Sequence, residues 1–237
     1  MKKVLHKAMS RGHANHGWLD THHTFSFANY YNPERIHFGM LRVLNDDIMA
    51  PGRGFGTHPH DNMEIISIPL EGELEHRDSL GNVSVIRKGE VQVMSAGTGL
   101  THSEFNKNSD RPVKWLQIWI FPDRDDHEPR YDQIRIDRST MHNRFMPIVV
   151  PRGQTGAPWI NQDAWLHIGE LDKGASVEYR LKDASHGVYA FVIKGEATID
   201  GIHLSHRDGM GIWETDRITV TASAYSEVLL IEVPLNG

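Results

Sequence analysis

Apolar positions along the chain recur in short runs separated by turn-forming clusters, and no stretch keeps the 3.6-residue spacing of a long amphipathic helix. Extended segments are expected at residues 38–44, 63–70, 72–78, 83–85, 91–95 and 114–121. Between them stand turn signals: Asn45-Asp46-Asp47, Glu71-Gly72, Ser79-Leu80-Gly81-Asn82 and Arg87-Lys88-Gly89-Glu90. Residues 24–30 alternate well enough to be read as a further strand, with Phe25 and Phe27 on one face. The second half continues in the same rhythm at 134–136, 148–150, 165–171, 175–181, 188–193, 196–199, 218–221 and 228–233. The pattern predicts an all-β protein built from antiparallel barrels or sandwiches.

Around Pro122 the texture changes to Pro-Asp-Arg-Asp-Asp-His-Glu-Pro-Arg-Tyr, polar and bounded by prolines, which reads as an inter-domain connection. We place two domains at 1–135 and 136–237. The halves can be overlaid: Gly72 falls on Gly195, and Lys88-Gly89-Glu90 on Asp208-Gly209-Met210. In that register His58 falls on Leu181, His60 on Asp183 and His102 near Ala222, so the second half keeps a scaffold without the histidines.

Composition narrows the chemistry. The 25 basic and 31 acidic residues give a net charge of −6, and no basic stripe marks a nucleic-acid surface. Cysteine is absent, which removes disulfides and thiolate ligands, so a metal would be held by nitrogen and oxygen. Neither a secretory signal nor a membrane-length apolar run is present, and a cytoplasmic protein is expected.

Sixteen histidines make chance neighbours common, so spacing has to decide. His58 and His60 are the only two separated by a single residue, in Gly-Thr-His-Pro-His at 56–60. A second group, Thr-His-Ser-Glu at 101–104, carries His102 and Glu104. On extended strands residues two apart share a face, so two neighbouring strands would converge three imidazoles and a carboxylate on one point. Such a set suits a first-row divalent cation and leaves coordination positions open. Glu64 has the right parity but lies roughly 13 Å along the strand from His60, at about 3.3 Å per residue, so Glu104 is preferred and Glu64 is read as a supporting carboxylate. His13, His16, His22 and His23 are read as turn and packing residues that could instead line a pocket.

The pattern Gly52-x5-His58-x-His60-x3-Glu64 with Gly72 resembles the first cupin motif, and the stretch from Gly89 through Gly97 and His102 to Asn106 resembles the second. The interval from Glu64 to Gly72 is one residue longer than usual, and Ser95 stands where proline is common. The strings at 11–18, 23–27, 55–60 and 94–106 are similar to the pirin family, most closely its bacterial quercetinase-like members. That resemblance implies a bicupin of two jelly-roll barrels with one metal in the first, its ligands mapping onto His58, His60, His102 and Glu104. Iron stands first among the cations implied, with copper, manganese, nickel and cobalt also compatible with the donors. The implied activity is cleavage of a flavonol by dioxygen at its heterocyclic ring with loss of carbon monoxide, Glu104 accepting the hydroxyl proton. Two other roles fit the resemblance: a metal-dependent regulatory module without turnover, and an oxygenase of another phenolic or enolic metabolite. A monomer is expected, since the two barrels can cover each other.

Overall fold

The computed structural model describes residues 1–236. Twelve strands precede residue 136: β1 (Lys2–His6), β2 (Gly12–Asn15), β3 (Leu19–His23), β4 (Leu41–Met49), β5 (Gly54–His60), β6 (Glu64–Glu71), β7 (Glu73–Asp78), β8 (Val83–Arg87), β9 (Glu90–Ser95), β10 (Leu100–Asn106), β11 (Val113–Ile120) and β12 (Arg130–Arg135). Ten follow: β13 (Phe145–Pro151), β14 (Trp159–Ile160), β15 (Trp165–Leu171), β16 (Ser176–Arg180), β17 (His186–Lys194), β18 (Ala197–Ile199), β19 (Ile202–Leu204), β20 (Gly209–Trp213), β21 (Arg217–Ala222) and β22 (Ser226–Pro234).

They form two cupin-type units of the same plan. In the first, a seven-stranded sheet ordered β12-β9-β6-β11-β4-β3-β2 is accompanied by a four-stranded sheet, β5-β10-β7-β8. In the second, the sheets are β1-β20-β17-β22-β15-β13-β14 and β16-β21-β18-β19. Pairing is antiparallel throughout except between β13 and β14. Strand β1 is exchanged: the first residues of the chain pair with β20 in the second unit, Val4 opposite Gly211.

The two seven-stranded sheets share a core. Ile66 and Ile68 of β6 and Leu116, Ile118 and Ile120 of β11 cluster with Tyr189 and Phe191 of β17 and Leu229 and Ile231 of β22. On β17 and β22 the intervening residues, including Val188, Ala190, Val192, Val228 and Leu230, fill the interior of the second unit instead. Both faces of these strands are therefore buried, which is why their sequences are unbroken apolar runs rather than alternations. In the first unit the inward-facing residues of β11 are Trp115, Gln117 and Trp119: Trp115 packs with Leu19, Met49 and Leu74, whereas Gln117 and Trp119 line a cavity.

Two expectations fail here. Asn45-Asp46-Asp47 is not a turn but the buried middle of β4. Asn45 and Asp46 are matched by partners distant in sequence: His23 Nδ1 lies 3.0 Å from Asn45 Oδ1, while Arg11 and Arg207 approach Asp46 at 3.4 and 3.1 Å; Asp47 Oδ1 is buried without a partner. Residues 24–30 are not a strand: Ser26 Oγ accepts from Asn32 N and donates to Asn32 O, Ala28 takes φ 48°, and the chain folds over. Phe25 consequently packs on Tyr189 in the shared core, and Phe27 on Trp119 at the cavity, so the two rings part company.

The polar segment after Pro122 crosses back over the turn at Gly97. Thr98 N donates to His127 O at 2.9 Å, and a Cβ on Gly97, which has φ 48°, would overlap that same carbonyl. Strand β12 then joins the first unit's sheet beside β9.

Candidate metal centre and substrate pocket

Strands β5 and β10 pair antiparallel, with His102 opposite His58 and Leu100 opposite His60. The register then shifts, so that Glu104 faces Phe55 and the two residues Gly56 and Thr57 stand against Ser103 alone. This bulge lies beside the histidine pair. One ring nitrogen from each of His58, His60 and His102 lies within 4.8 Å of the others, and the ring centroids are 4.4 to 4.9 Å apart. Glu104 is not a member of that tight group. Its carboxylate lines the same cavity and accepts from Gln117 Nε2 at 3.1 and 3.3 Å and from Ser67 Oγ at 3.4 Å.

The chemistry of the donors fits a cation. Burial, and the neighbouring His58, push the His60 pKa down to about 4; burial with His58, His60 and His76 pushes His102 down to about 2. Both imidazoles are therefore neutral near pH 7, with a lone pair free to bind. His102 Nε2 is buried without any hydrogen-bond partner, and His58 Nδ1 is engaged by Gly56 O at 2.8 Å, leaving its Nε2 for other use. An enclosed lone pair facing two further imidazoles is an unfavourable arrangement unless an electrophile sits among them. The donor set is that of a divalent transition-metal site.

Two acids of the cavity titrate far from their usual range. Burial raises the Glu104 pKa to about 7, with the Gln117 and Ser67 hydrogen bonds opposing it. Burial likewise carries Asp47 to about 8, against a hydrogen bond from Thr21 and reinforced by Asp46 and Glu104.

The cavity encloses about 810 Å³, within the range that receives compact organic ligands. Trp18, Phe27, Tyr30, Phe55 and Trp119 supply apolar walls beside His58 and His60, and Asn45, Asp47, Glu104 and Gln117 supply a polar floor. Trp119 meets the His60 ring edge-on at 5.0 Å. Of the aromatic residues that the alternation of strands offers, Phe25 and Phe38 belong to the shared core instead, where both rings pack on Tyr189.

Glu64 is elsewhere: its oxygens accept from Ser95 Oγ at 2.7 Å and from Asn161 Nδ2 at 3.0 Å, tying the first unit to the second. Among the N-terminal histidines, His13, His16 and His23 line the cavity and His22 does not. His13, Asp20 and His22 bring donor atoms within 4.8 Å of one another, but the His13 and His22 rings are stacked at 4.4 Å and 14°, which aims their in-plane lone pairs side by side rather than at a common point. His13 Nε2 is already bonded to Asp20 at 2.7 Å.

The second unit shows what replaces the histidines. With Gly72 matched to Gly195, the pairing of β10 with β7 and of β21 with β18 sets Glu104 on Val220 and His102 on Ile218; β16 then sets His58 on Tyr179 and His60 on Leu181. The register read from sequence is thus displaced, because the loops leading into these strands differ in length. The consequence for chemistry is unchanged: those four positions belong to the apolar core.

Sequence reasoning missed Gln117, Asp47, His76 and Asp78. Gln117 leaves a trace as the lone polar inward residue between Trp115 and Trp119; Asp47 was hidden by its resemblance to a turn.

Comparison with known proteins agrees with this plan. The Pirin family model matches residues 4–120, and the model for the quercetinase C-terminal cupin domain matches 147–233. The chain is 45% identical over 230 residues to the quercetin 2,3-dioxygenase of Escherichia coli K12, covering 97% of this chain and 98% of that one. It is 43% identical over 223 residues to a putative quercetin 2,3-dioxygenase of Pseudomonas aeruginosa, covering 94% and 95%. The crystal structure of the Escherichia coli bacterial pirin YhhW in complex with nickel(II) superposes with a TM-score of 0.93 at 44% identity, covering 98% of this chain and 99% of that one. The chain belongs to the pirin family, in its two-cupin, quercetinase-like form.

Proposed function

We propose that this chain is a metal-dependent dioxygenase that opens the heterocyclic ring of flavonols such as quercetin with loss of carbon monoxide. The observation that carries this reading is the convergence of His58, His60 and His102 beside an aromatic-sided cavity, lined by the first two, that also holds a proton-accepting carboxylate. His58, His60 and His102 hold the ion, with Glu104 as a fourth ligand or a neighbour of it. A bound divalent transition metal supplies Lewis acidity toward an enol-type oxygen and an open position for a small molecule. Phe27, Phe55 and Trp119 flank a planar substrate and keep water from its ring. Glu104, steadied by Gln117 Nε2, takes the hydroxyl proton of the flavonol; a carboxyl whose pKa lies near 7 can both accept that proton and return it.

Iron is our first choice of metal. We also propose that the chain acts as a cytoplasmic monomer, its metal unit within 1–135 and its ligand-free unit within 136–237. The joining of β12 to β9 supports a boundary near 135, β1 being the one strand of the first segment that lies in the second unit's sheet, and the core shared by the two large sheets supports the monomer. Among the described residues no helix is long and apolar enough to cross a membrane.

The test is turnover of quercetin by the purified chain under air, with carbon monoxide and metal content measured on the same sample. His60→Ala and His102→Ala should lose metal and activity together, whereas His203→Ala, on an exposed strand of the second unit, should keep both. Stoichiometric metal in His60→Ala would overturn the ligand assignment. A protein that retains metal but turns over neither quercetin nor related phenols would instead be a binding module.

A further inference from the structure

We infer that Asp78 and His76 are positioning residues that fix which nitrogen of His102 carries hydrogen, and so hold its Nε2 bare toward the metal position. The inference rests on the reading of His102 as a ligand. Neither Asp78 nor His76 touches the cavity, and both side chains are fully enclosed.

The direction of each hydrogen bond follows from its neighbours. Asp78 closes its own turn: its carboxylate receives Leu80 N at 3.0 Å, Asn82 N at 3.0 Å and Asn82 Nδ2 at 2.9 and 3.1 Å. Every one of these partners donates, so Asp78 stands as an acceptor. The 3.0 Å bond from His76 Nε2 to Asp78 Oδ2 therefore has the imidazole as donor. A neutral imidazole with hydrogen on Nε2 has a bare Nδ1, and His76 Nδ1 lies 3.4 Å from His102 Nδ1. His102 must then donate from Nδ1, which leaves Nε2 as a lone pair. That is the atom found buried without a partner among the three imidazoles. The one other arrangement, a doubly protonated His76, would place an N–H on the same enclosed atom, facing two further rings.

The frame around the relay is rigid. Tyr131 stacks on the His76 ring at 4.7 Å and 29°, and His102 pairs with Asp78 across β10 and β7, so the carboxylate, the middle ring and the ligand ring come from two hydrogen-bonded strands. Histidine ligands held by a carboxylate through an intervening group gain orientation and basicity, and losing such support costs roughly 10–100-fold in metal affinity.

Asp78→Asn gives the sharpest test, because an amide is isosteric but offers an N–H where the carboxylate offered an oxygen. A donating amide in place of the carboxylate reverses both bonds and moves the His102 hydrogen to Nε2. Long-range proton–nitrogen correlation spectra of the full chain, stripped of metal by a chelator, should find His102 protonated at Nδ1 in the native protein and at Nε2 in Asp78→Asn. Zinc affinity of that variant should fall by about 10–100-fold. His76→Asn keeps an acceptor where Nδ1 stood, and His76→Leu keeps bulk without one, so His76→Asn should bind zinc more tightly than His76→Leu; a packing role predicts the reverse. Native His102 protonated at Nε2, or His76→Leu binding as tightly as His76→Asn, overturns the inference. If Asp78→Asn does not fold by circular dichroism, the native tautomer and the His76 pair still decide. The tautomer is read without metal, so a failed ligand assignment for His60 leaves this result distinguishable.

Discussion

Gln117 and Asp47 define the cavity floor by how they treat its acids. Glu104 is held by two hydrogen bonds from one amide, which keeps its carboxyl oriented toward the space a substrate would fill. Replacing Glu104 by Gln preserves shape and removes the proton acceptor, so kcat for quercetin should fall by about 10²–10⁴-fold in steady-state assays. Asp47 acts on stability instead. Its pKa is 3.8 when unfolded and about 8 when folded, so between those values the native state binds the extra proton and stability declines as pH rises. Asp47→Asn should therefore raise the melting temperature more at pH 8 than at pH 4. Each pH unit inside that window is worth at most about 1.4 kcal/mol for one proton. Equal shifts at the two pH values would show that Asp47 is not held neutral by burial. The sequence carried little sign of this residue, because Asn-Asp-Asp has the composition of a turn, and only partners such as Arg11 and Arg207, far away in the chain, make it a strand.

At the scale of the elements, the site depends on how closely β5 runs beside β10. A Cβ on Gly54 would stand 2.4 Å from the carbonyl oxygen of Glu104, whereas one on Gly56 would meet nothing within 4 Å. Gly54→Ala should push β10 outward at Glu104, destabilising the fold by about 1–3 kcal/mol and lowering activity, while Gly56→Ala should be nearly silent in both thermal melts and turnover. The histidine spacing in β5 and β10 was legible beforehand because a strand repeats every two residues, so His58 with His60, and His102 with Glu104, needed only a shared face. The bulge at Gly56 and Thr57 was not legible. It arises from pairing between strands some forty residues apart, which no local pattern encodes. The same holds for Thr24 to Tyr30, whose alternation imitates a strand while Ser26 and Asn32 bend it into a loop.

For the whole molecule, burial of uncharged histidines sets the acid limit. Desolvation takes His6 down to about 4 and His167 to about 3 from an unfolded value of 6.5. Below pH 6.5 the unfolded chain gains protons that the native one refuses, so stability is whole above that value and is lost as pH falls toward 4. His6→Gln and His167→Gln should each flatten the decline of urea-unfolding free energy between pH 6.5 and 4. The two-unit plan was plain in the repeated strand pattern, whereas the exchange of β1 was not: Lys-Lys-Val-Leu-His reads as a polar, ordinary start.

That exchange orders events during synthesis. The five residues of β1 leave the ribosome well before β20, the strand they pair with, which is made some two hundred residues later. The nascent metal unit must therefore carry an unpaired β1 until β20 has emerged. Ribosome-bound chains halted before residue 209 should expose residues 2–6 to protease, and chains released at full length should protect them.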